Sequence, residues 1–152
     1  MIKSHKDLKI KIFADGANIN EMKKVYGEGI VSGFTTNPTL MKKDSVTDYV
    51  SFAKDVLTVI TDMPISFEVF SDDFESMEKQ ARLIGSWGEN VYIKIPVTNT
   101  KGENSLKLIE RLTGDGLKLN VTAILTVEQV ENVMKAISKD TKTIISVFAG
   151  RI

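Results

Sequence analysis

A parallel α/β fold is predicted by two features of the sequence: short runs of β-branched and aromatic residues, and amphipathic stretches between them. Six runs are predicted as strands, at residues 8–15, 30–37, 65–70, 91–96, 117–125 and 143–150. Five stretches are predicted as helices, at residues 20–26, 46–60, 73–87, 104–112 and 127–137. In these stretches apolar residues recur every three or four positions, as on one face of a helix. Thr126 with Gln129, and Asp72 with Glu75, predict capping boxes at two of the helix starts. The alternation predicts parallel strands joined by crossover helices.

The composition favours one globular domain over residues 1–152 and argues against several kinds of site. The chain is 42% hydrophobic, and its 20 basic and 20 acidic residues cancel, which disfavours nucleic acid or an anionic membrane as partners. There is no cysteine and His5 is the only histidine, so thiol chemistry, a histidine base and a metal site are not expected. Since no segment resembles a signal peptide or a transmembrane helix, a cytoplasmic location is predicted.

Polar residues near the ends of the strands favour a barrel over an open sheet. Side chains two positions apart on a strand share one face. Every predicted strand carries polar or ionisable residues near its C-terminal end: Asp15; Thr35 and Asn37; Glu68; Lys94; Asn120 and Thr122; Ser146. They converge only if the strands surround a common axis. The sequence therefore predicts a parallel (β/α)8 TIM barrel with its chemistry at the C-terminal rim, whereas a doubly wound sheet would bury these groups separately.

The chain is shorter than this fold requires. A barrel of this type typically has about 200 residues or more, whereas the 152 residues end just after the sixth predicted strand. Six strands in an open arrangement would leave two unpaired edges, which favour aggregation. We therefore expect a truncated form of a longer protein, with about six βα units present and the seventh and eighth strands missing.

Lys94 is the first candidate for chemistry, because it interrupts the strand "VYIKIP" (91–96). Burial disfavours the ammonium form of a lysine, and the neutral amine can attack a carbonyl group. Taken alone, the residue is more often half of a buried Lys–Glu pair, or an edge-strand lysine that reaches solvent. The polar residues on the other strands favour a lysine that forms a Schiff base.

Two carboxylates are candidates for proton transfer. Asp15, in "FADGAN", ends the first predicted strand; the alternative is a helix cap or a turn residue before Gly16. Glu68 lies inside the third strand, where acidic residues are uncommon. Its alternative is a salt bridge to Lys94, and the two interpretations are compatible.

Two further motifs contain candidate binding residues. In "GFTTNPTL" (33–40), Pro38 restricts Asn37 to an extended conformation, which would fix an amide at the rim. The alternative is an ordinary turn. In "SVFAGRI" (146–152), Arg151 follows a strand and could bind a phosphate, although an isolated arginine there is more often a solvated surface residue.

Taken together, six segments resemble the transaldolase family in order and in spacing: "FADGAN", "GFTTNPTL", "ISFEVF", "VYIKIPVT", "LNVTAIL" and "IISVFAGRI". The resemblance runs from about Ile12 to the last residue, and the short connection between the second and third motifs resembles the small branch that includes fructose-6-phosphate aldolases. "TTNP" combined with "IKIPVT" is its most specific part.

The resemblance implies a class I aldolase barrel and assigns four catalytic residues. Lys94 would form the Schiff base with the ketone of fructose 6-phosphate or sedoheptulose 7-phosphate. Asp15 would deprotonate the C4 hydroxyl for retro-aldol cleavage, while Glu68 and Thr122 would hold a catalytic water. The retained dihydroxyacetone unit would pass to glyceraldehyde 3-phosphate or erythrose 4-phosphate. The family needs no metal or organic cofactor.

The same resemblance implies a set of substrate-binding residues. Asn37, Asn120 and Ser146 would hydrogen-bond the dihydroxyacetone unit, with Thr35 beside them, and Arg151 would bind phosphate. Phe148 completes the predicted substrate-binding set. The implied role is that of a transferase of carbohydrate metabolism, in the pentose phosphate pathway. A homo-oligomer is expected for the full-length protein, because the terminal helix of small members mediates assembly.

The choice among activities depends on two positions. Glu68 and Phe148 are the residues found in transaldolases, whereas the aldolases carry Gln and Tyr, so a transaldolase is predicted. The alternatives are a fructose-6-phosphate aldolase-like lyase, another Schiff-base lyase, and a non-catalytic sugar-phosphate-binding remnant. Because the expected seventh and eighth strands are missing, whether this chain alone is active stays open.

Overall fold

Strands and helices alternate through residues 9–151, which are the residues that the structure, a computed structural model, describes; for Arg151 it describes the backbone alone. These residues divide into two compact units, 9–67 and 68–151. The assignment of residues 1–152 to one domain stays a prediction.

The first unit is built from short parallel strands. Its strands are β1 (Phe13–Asp15), β2 (Gly33–Thr35) and most of β3 (Ile65–Glu68), and its helices are α1 (Ile19–Glu28), α2 (Pro38–Lys43) and α3 (Tyr49–Val59). β1 pairs in parallel with β2, and β2 with β3. The strands therefore follow chain order, and their C-terminal ends lie at one edge.

Close packing around β2 explains a glycine at the start of that strand. A Cβ on Gly33 would lie 2.4 Å from the ring of Phe13 and 2.7 Å from the carbonyl oxygen of Pro64. Only glycine lets β2 approach both neighbours. Beyond it, Phe34 and Phe67 are fully buried, and the Phe67 ring packs edge-on against Tyr49 with centroids 6.1 Å apart.

The second unit has longer strands. It contains Glu68 at the end of β3, then α4 (Phe74–Gly85), β4 (Val91–Pro96), α5 (Leu106–Gly114), β5 (Leu119–Ile124), α6 (Val127–Ala136), β6 (Thr143–Val147) and a 3₁₀ turn (Ala149–Arg151). β4 pairs in parallel with β5, and β5 with β6. The register between β5 and β6 shifts after Val121, where Ala123 has a positive φ of 60°. This bulge bends the end of β5.

The two faces of β4 differ, as the alternation in its sequence predicts. Ile93 and Ile95 are fully buried on one face, with apolar neighbours in β5 such as Leu119 and Val121. The other face carries Tyr92 and Lys94. The strand therefore forms part of the core and presents its lysine on the opposite side.

The predicted fold class is confirmed: parallel strands alternate with helices, and within each unit the strands pair in chain order, as in a (β/α) barrel. Three details of the prediction are wrong. The strands are shorter than predicted except β4, and α2 is an additional helix. Asp72 was expected to cap α4, but Asp73 does so by accepting from the amide of Ser76. The capping box of Thr126 and Gln129 on α6 is confirmed. Residue 8, the predicted start of the first strand, lies outside the described residues.

Among residues 9–151, no helix is long and apolar enough to cross a membrane, and no group of three or more histidine, cysteine, aspartate or glutamate residues is arranged to hold a metal ion.

Candidate active site

Asp15, Thr35 and Asn37 form a hydrogen-bonded cluster in the first unit. The Asp15 carboxylate ends β1 and accepts from the Thr35 hydroxyl at 2.8 Å and from the Asn37 side-chain amide at 3.2 Å. Thr35 ends the neighbouring strand β2, and the amide of Gly16 donates to its carbonyl oxygen. α1 is capped by Asn18, so the alternative role of Asp15 as a helix cap is wrong. Asp15 remains exposed, so its carboxylate can exchange protons with a bound molecule.

Asn37 is held by the helix that follows it. Its backbone is extended, with φ −153° and ψ 159°, as predicted from the proline after it. Its side-chain oxygen caps α2 by accepting from the Leu40 amide at 2.9 Å. Because the oxygen is used there, the NH₂ group faces Asp15, and the amide orientation is fixed at both ends.

Lys94 and Glu68 form an ion pair in the second unit. The Lys94 Nζ lies 3.4 Å from Glu68 Oε2, and the two side chains are 10% and 19% exposed. The amide of Val69, next to Glu68, donates to the carbonyl oxygen of Lys94. The predicted salt bridge is therefore present. It places a carboxylate beside a mostly buried amine, which is also what Schiff-base chemistry requires.

Asn120, Thr122 and Ser146 lie on the strands beyond β4. Asn120 is the register neighbour of Lys94, is 1% exposed, and accepts from the Ser146 hydroxyl at 2.7 Å. Thr122 is the register neighbour of Pro96. Its hydroxyl oxygen is buried and has no hydrogen-bond partner among the described residues. A buried polar atom without a partner is destabilising, and a bound water or ligand is one way to satisfy it.

The last two predicted residues follow β6. Phe148 is half-buried, and its amide donates to the carbonyl oxygen of Ile124 at 2.8 Å, which attaches the segment to the end of β5. Arg151 lies in the 3₁₀ turn, and its side chain falls outside the described residues. Phosphate binding by Arg151 therefore stays a prediction.

Tyr92 and Asp72 were not among the residues predicted for the site, although each lies close in the sequence to one member of the Lys94–Glu68 pair. Tyr92 precedes Lys94 by two positions on the same face of β4, and burial raises the pKa of its hydroxyl. Asp72 accepts from the backbone amide of Thr100 at 2.8 Å and from its hydroxyl at 2.7 Å. Period-two alternation from Lys94 could have found the tyrosine. Nothing local in the sequence distinguishes Asp72 from Asp73.

Parallel βα units with a lysine of β4 buried beside a carboxylate of β3 fit the class I aldolase barrel that the sequence resembles. The family described as Transaldolase/Fructose-6-phosphate aldolase matches residues 12–152. The chain belongs to this family.

Curated relatives agree with the family match. A probable transaldolase from Dehalococcoides mccartyi is 39% identical over 120 residues, which cover 79% of this chain and 54% of that protein. Probable transaldolase 2 from Listeria monocytogenes is 38% identical over 143 residues, and a probable transaldolase from Caldicellulosiruptor saccharolyticus is 40% identical over 143 residues. Each of these two alignments covers 94% of this chain and 61% of the relative. The chain thus spans about three-fifths of the length of the curated relatives that it matches.

Proposed function

We propose that the protein is a transaldolase, which moves a dihydroxyacetone unit from a ketose phosphate to an aldose phosphate through a Schiff base on Lys94. The observation that carries the proposal is the mostly buried Lys94–Glu68 pair, at 3.4 Å, on a strand whose neighbour holds the unpartnered Thr122 hydroxyl. Family membership and relatives named probable transaldolase support it.

Imine formation is the first step of the proposed reaction. The neutral Lys94 amine attacks the C2 carbonyl of fructose 6-phosphate or sedoheptulose 7-phosphate, and the resulting carbinolamine loses water. Glu68 would take the ammonium proton of the carbinolamine and return it to the leaving hydroxyl, a role that the 3.4 Å distance from its carboxylate to Nζ supports. The Thr122 hydroxyl, which has no hydrogen-bond partner among residues 9–151, would hold the water with which Glu68 exchanges protons.

Carbon–carbon cleavage is the second step. Asp15 takes the proton of the C4 hydroxyl, the C3–C4 bond breaks, and its electron pair forms an enamine on Lys94. Glyceraldehyde 3-phosphate or erythrose 4-phosphate leaves. The hydrogen bonds from Thr35 and Asn37 hold the Asp15 carboxylate in one orientation for this transfer. When the acceptor aldehyde enters, the enamine attacks it and Asp15 returns the proton, after which water hydrolyses the imine.

The remaining predicted residues bind the substrate in this proposal. The Asn120–Ser146 pair would hydrogen-bond the hydroxyl groups of the dihydroxyacetone unit, because Asn120 is the register neighbour of Lys94 and accepts from the Ser146 hydroxyl on β6. Arg151 would bind the phosphate. Sugar phosphates are thus the proposed substrates, the cytoplasm and the pentose phosphate pathway the proposed context, and a homo-oligomer the proposed assembly of the full-length protein.

A product assay tests the proposal against the aldolase alternative. The chain is incubated with fructose 6-phosphate, with and without erythrose 4-phosphate, and products are identified by mass spectrometry. A transaldolase forms sedoheptulose 7-phosphate and releases little free dihydroxyacetone. Steady release of dihydroxyacetone without an acceptor would instead identify a lyase. Glu68 and Phe148 favour transfer, since the resembling aldolases carry other residues at both positions.

A further inference from the structure

The loop that follows β4, residues 97–105, is fixed by its own hydrogen bonds. The Asn99 side-chain oxygen accepts from the amides of Lys101 at 3.0 Å and Glu103 at 2.9 Å, and its NH₂ group donates to the Glu103 carboxylate at 2.6 Å. Gly102 forms the turn with a φ of 80°, which favours glycine. Asn99 itself is buried. The loop is therefore a rigid element, and whatever holds it also holds the end of β4.

Asp72 attaches this loop to the segment that follows β3. Its two carboxylate oxygens accept separately from the backbone amide and the hydroxyl of Thr100, at 2.8 and 2.7 Å. These bonds lower the pKa of the Asp72 carboxyl group, so it stays ionised and remains a full acceptor at neutral pH. Asp72 does not cap α4, which is the role of Asp73. Its contact with Thr100 is therefore a separate function of this side chain.

The attachment lies just beyond the proposed catalytic pair. Asp72 is four residues after Glu68, and Thr100 is six residues after Lys94. Between the proposed catalytic pair and this attachment, the amide of Val69 donates to the Lys94 carbonyl oxygen at 3.1 Å. The two strand ends that carry the pair are thus joined twice, once by backbone and once by the Asp72–Thr100 contact.

We propose that Asp72 is a positioning residue: by binding Thr100, it holds the Glu68 carboxylate next to the Lys94 amine. The catalytic importance of this contact rests on the proposed function, whereas the positional effect does not. Glu68 is the last residue of β3, and the segment after it is held by the Val69 amide on β4 and by the Gln80 side chain on α4. Asp72 supplies the side-chain contact that joins this segment to the loop after β4. The 3.4 Å separation of its carboxylate from Nζ is longer than an optimal charge-assisted hydrogen bond, which is about 2.8 Å. In this proposal, a shift of the segment on loss of the Asp72 contact changes the distance between the carboxylate and Nζ.

Reductive methylation of Lys94 tests the positional effect without any sugar. The chain is treated with formaldehyde and borohydride, and the methylation rate of Lys94 is measured by peptide mapping against exposed Lys107. We expect Asp72→Ala to raise the Lys94 rate roughly three- to tenfold, the effect of losing an interaction of ordinary hydrogen-bond strength. Asp73→Ala is the matched control, because it removes the neighbouring carboxylate and leaves the Thr100 contact intact. Thr100→Val, which keeps the amide donor, should give a smaller rise.

A double-mutant cycle tests whether Asp72 acts through Glu68. In a Glu68→Gln background, Asp72→Ala should change the Lys94 rate no further, because the carboxylate that it positions is gone. Hydrogen exchange of the Thr100 amide confirms that the contact is lost in each Asp72 variant. An unchanged Lys94 rate with an unprotected Thr100 amide, or an equal rise in the Glu68→Gln background, would overturn the proposal. Failure of the chain to form an imine with fructose 6-phosphate would count against the proposed function alone.

Discussion

The two polar clusters, one in each unit, differ in their exposure to solvent. In the first unit the Asp15 carboxylate is exposed and accepts two hydrogen bonds from side chains of neighbouring elements. In the second unit Lys94, Asn120 and Thr122 are buried, and the Thr122 hydroxyl has no partner among the described residues. The proposed reaction assigns different roles to the two clusters. Asp15 would transfer a proton to and from the substrate, whereas Lys94 would form a covalent bond with its carbonyl carbon.

The strands that carry the exposed cluster are shorter than the strands that carry the buried one. β1 and β2 are three residues long, while β4 and β5 are six residues long. Longer strands bury more apolar surface, and fully buried isoleucine side chains occupy the opposite face of β4. The second unit thus supports its buried lysine with a longer strand pair than the one that carries the exposed aspartate, whose carboxylate is held by side-chain hydrogen bonds.

Removing the amine has the largest expected effect. Lys94→Met keeps most of the apolar stem but cannot form an imine, so borohydride-trapped adduct and sugar transfer should both vanish. Lys118→Met is the control, because that amine bonds the Glu89 carbonyl oxygen at the opposite end of the strands. Intact mass spectrometry measures the adduct. Adduct on a folded Lys94→Met chain would show that another amine is the nucleophile.

A substitution in the exposed cluster should slow carbon–carbon cleavage without preventing imine formation. Asp15→Asn leaves Lys94 intact but removes the proposed base, so cleavage should slow by about 10²–10⁴-fold. Borohydride should then trap an intact ketohexose phosphate on Lys94, where the wild-type chain traps a dihydroxyacetone unit. Asp62→Asn, a carboxylate of the same unit that accepts from the Tyr26 hydroxyl, should leave the adduct unchanged. A dihydroxyacetone adduct in Asp15→Asn would assign proton transfer to another group.

Valine substitutions at two buried threonines of the second unit should change the free energy of unfolding in opposite directions. Thr122→Val removes an unsatisfied hydroxyl and should raise the free energy of unfolding by about 1 kcal/mol, although imine formation slows. Thr113→Val should lower it by about 1–2 kcal/mol, because the amide of Ser138 loses its acceptor. Urea denaturation measures both changes. A destabilised Thr122→Val chain would mean that the hydroxyl is satisfied in solution.

Acid should destabilise both units slightly through surface aspartates. Hydrogen bonds, chiefly from the backbone amides of Ser51, Thr100 and Ser76, lower the pKa values of Asp48, Asp72 and Asp73 respectively.

The stabilisation from these three aspartate carboxylates is fully present above the unfolded-state pKa of about 3.9. It is lost as the pH falls through the lower folded-state pKa values. The urea midpoint should therefore decline below about pH 4. Asp73→Asn should decline less steeply than the wild-type chain; an identical slope would exclude a contribution from this carboxylate.

Much of each cluster could be predicted from local sequence rules. Alternation along "VYIKIP" placed Lys94 opposite the buried isoleucines, and Pro38 predicted the extended backbone of Asn37. Both rules depend on backbone geometry within a few residues, which the sequence specifies directly.

Other features depend on contacts that local sequence does not encode. Asp72 and Asp73 have similar cap propensity, and only the partner at Thr100, 28 residues away, decides their roles. The positive φ of Ala123 is set by the ladder between β5 and β6 and not by its own preference. The additional helix α2 was missed because "NPT" is equally typical of a turn; here Asn37 caps a helix that begins at Pro38.

Borohydride trapping of this chain with fructose 6-phosphate tests the central claim most directly. After reduction, intact mass and peptide mapping identify any adduct and the residue that carries it. We predict a dihydroxyacetone-sized adduct on Lys94, the buried amine beside Glu68. A chain that is folded by circular dichroism and carries no adduct, or carries it on another lysine, would contradict the account.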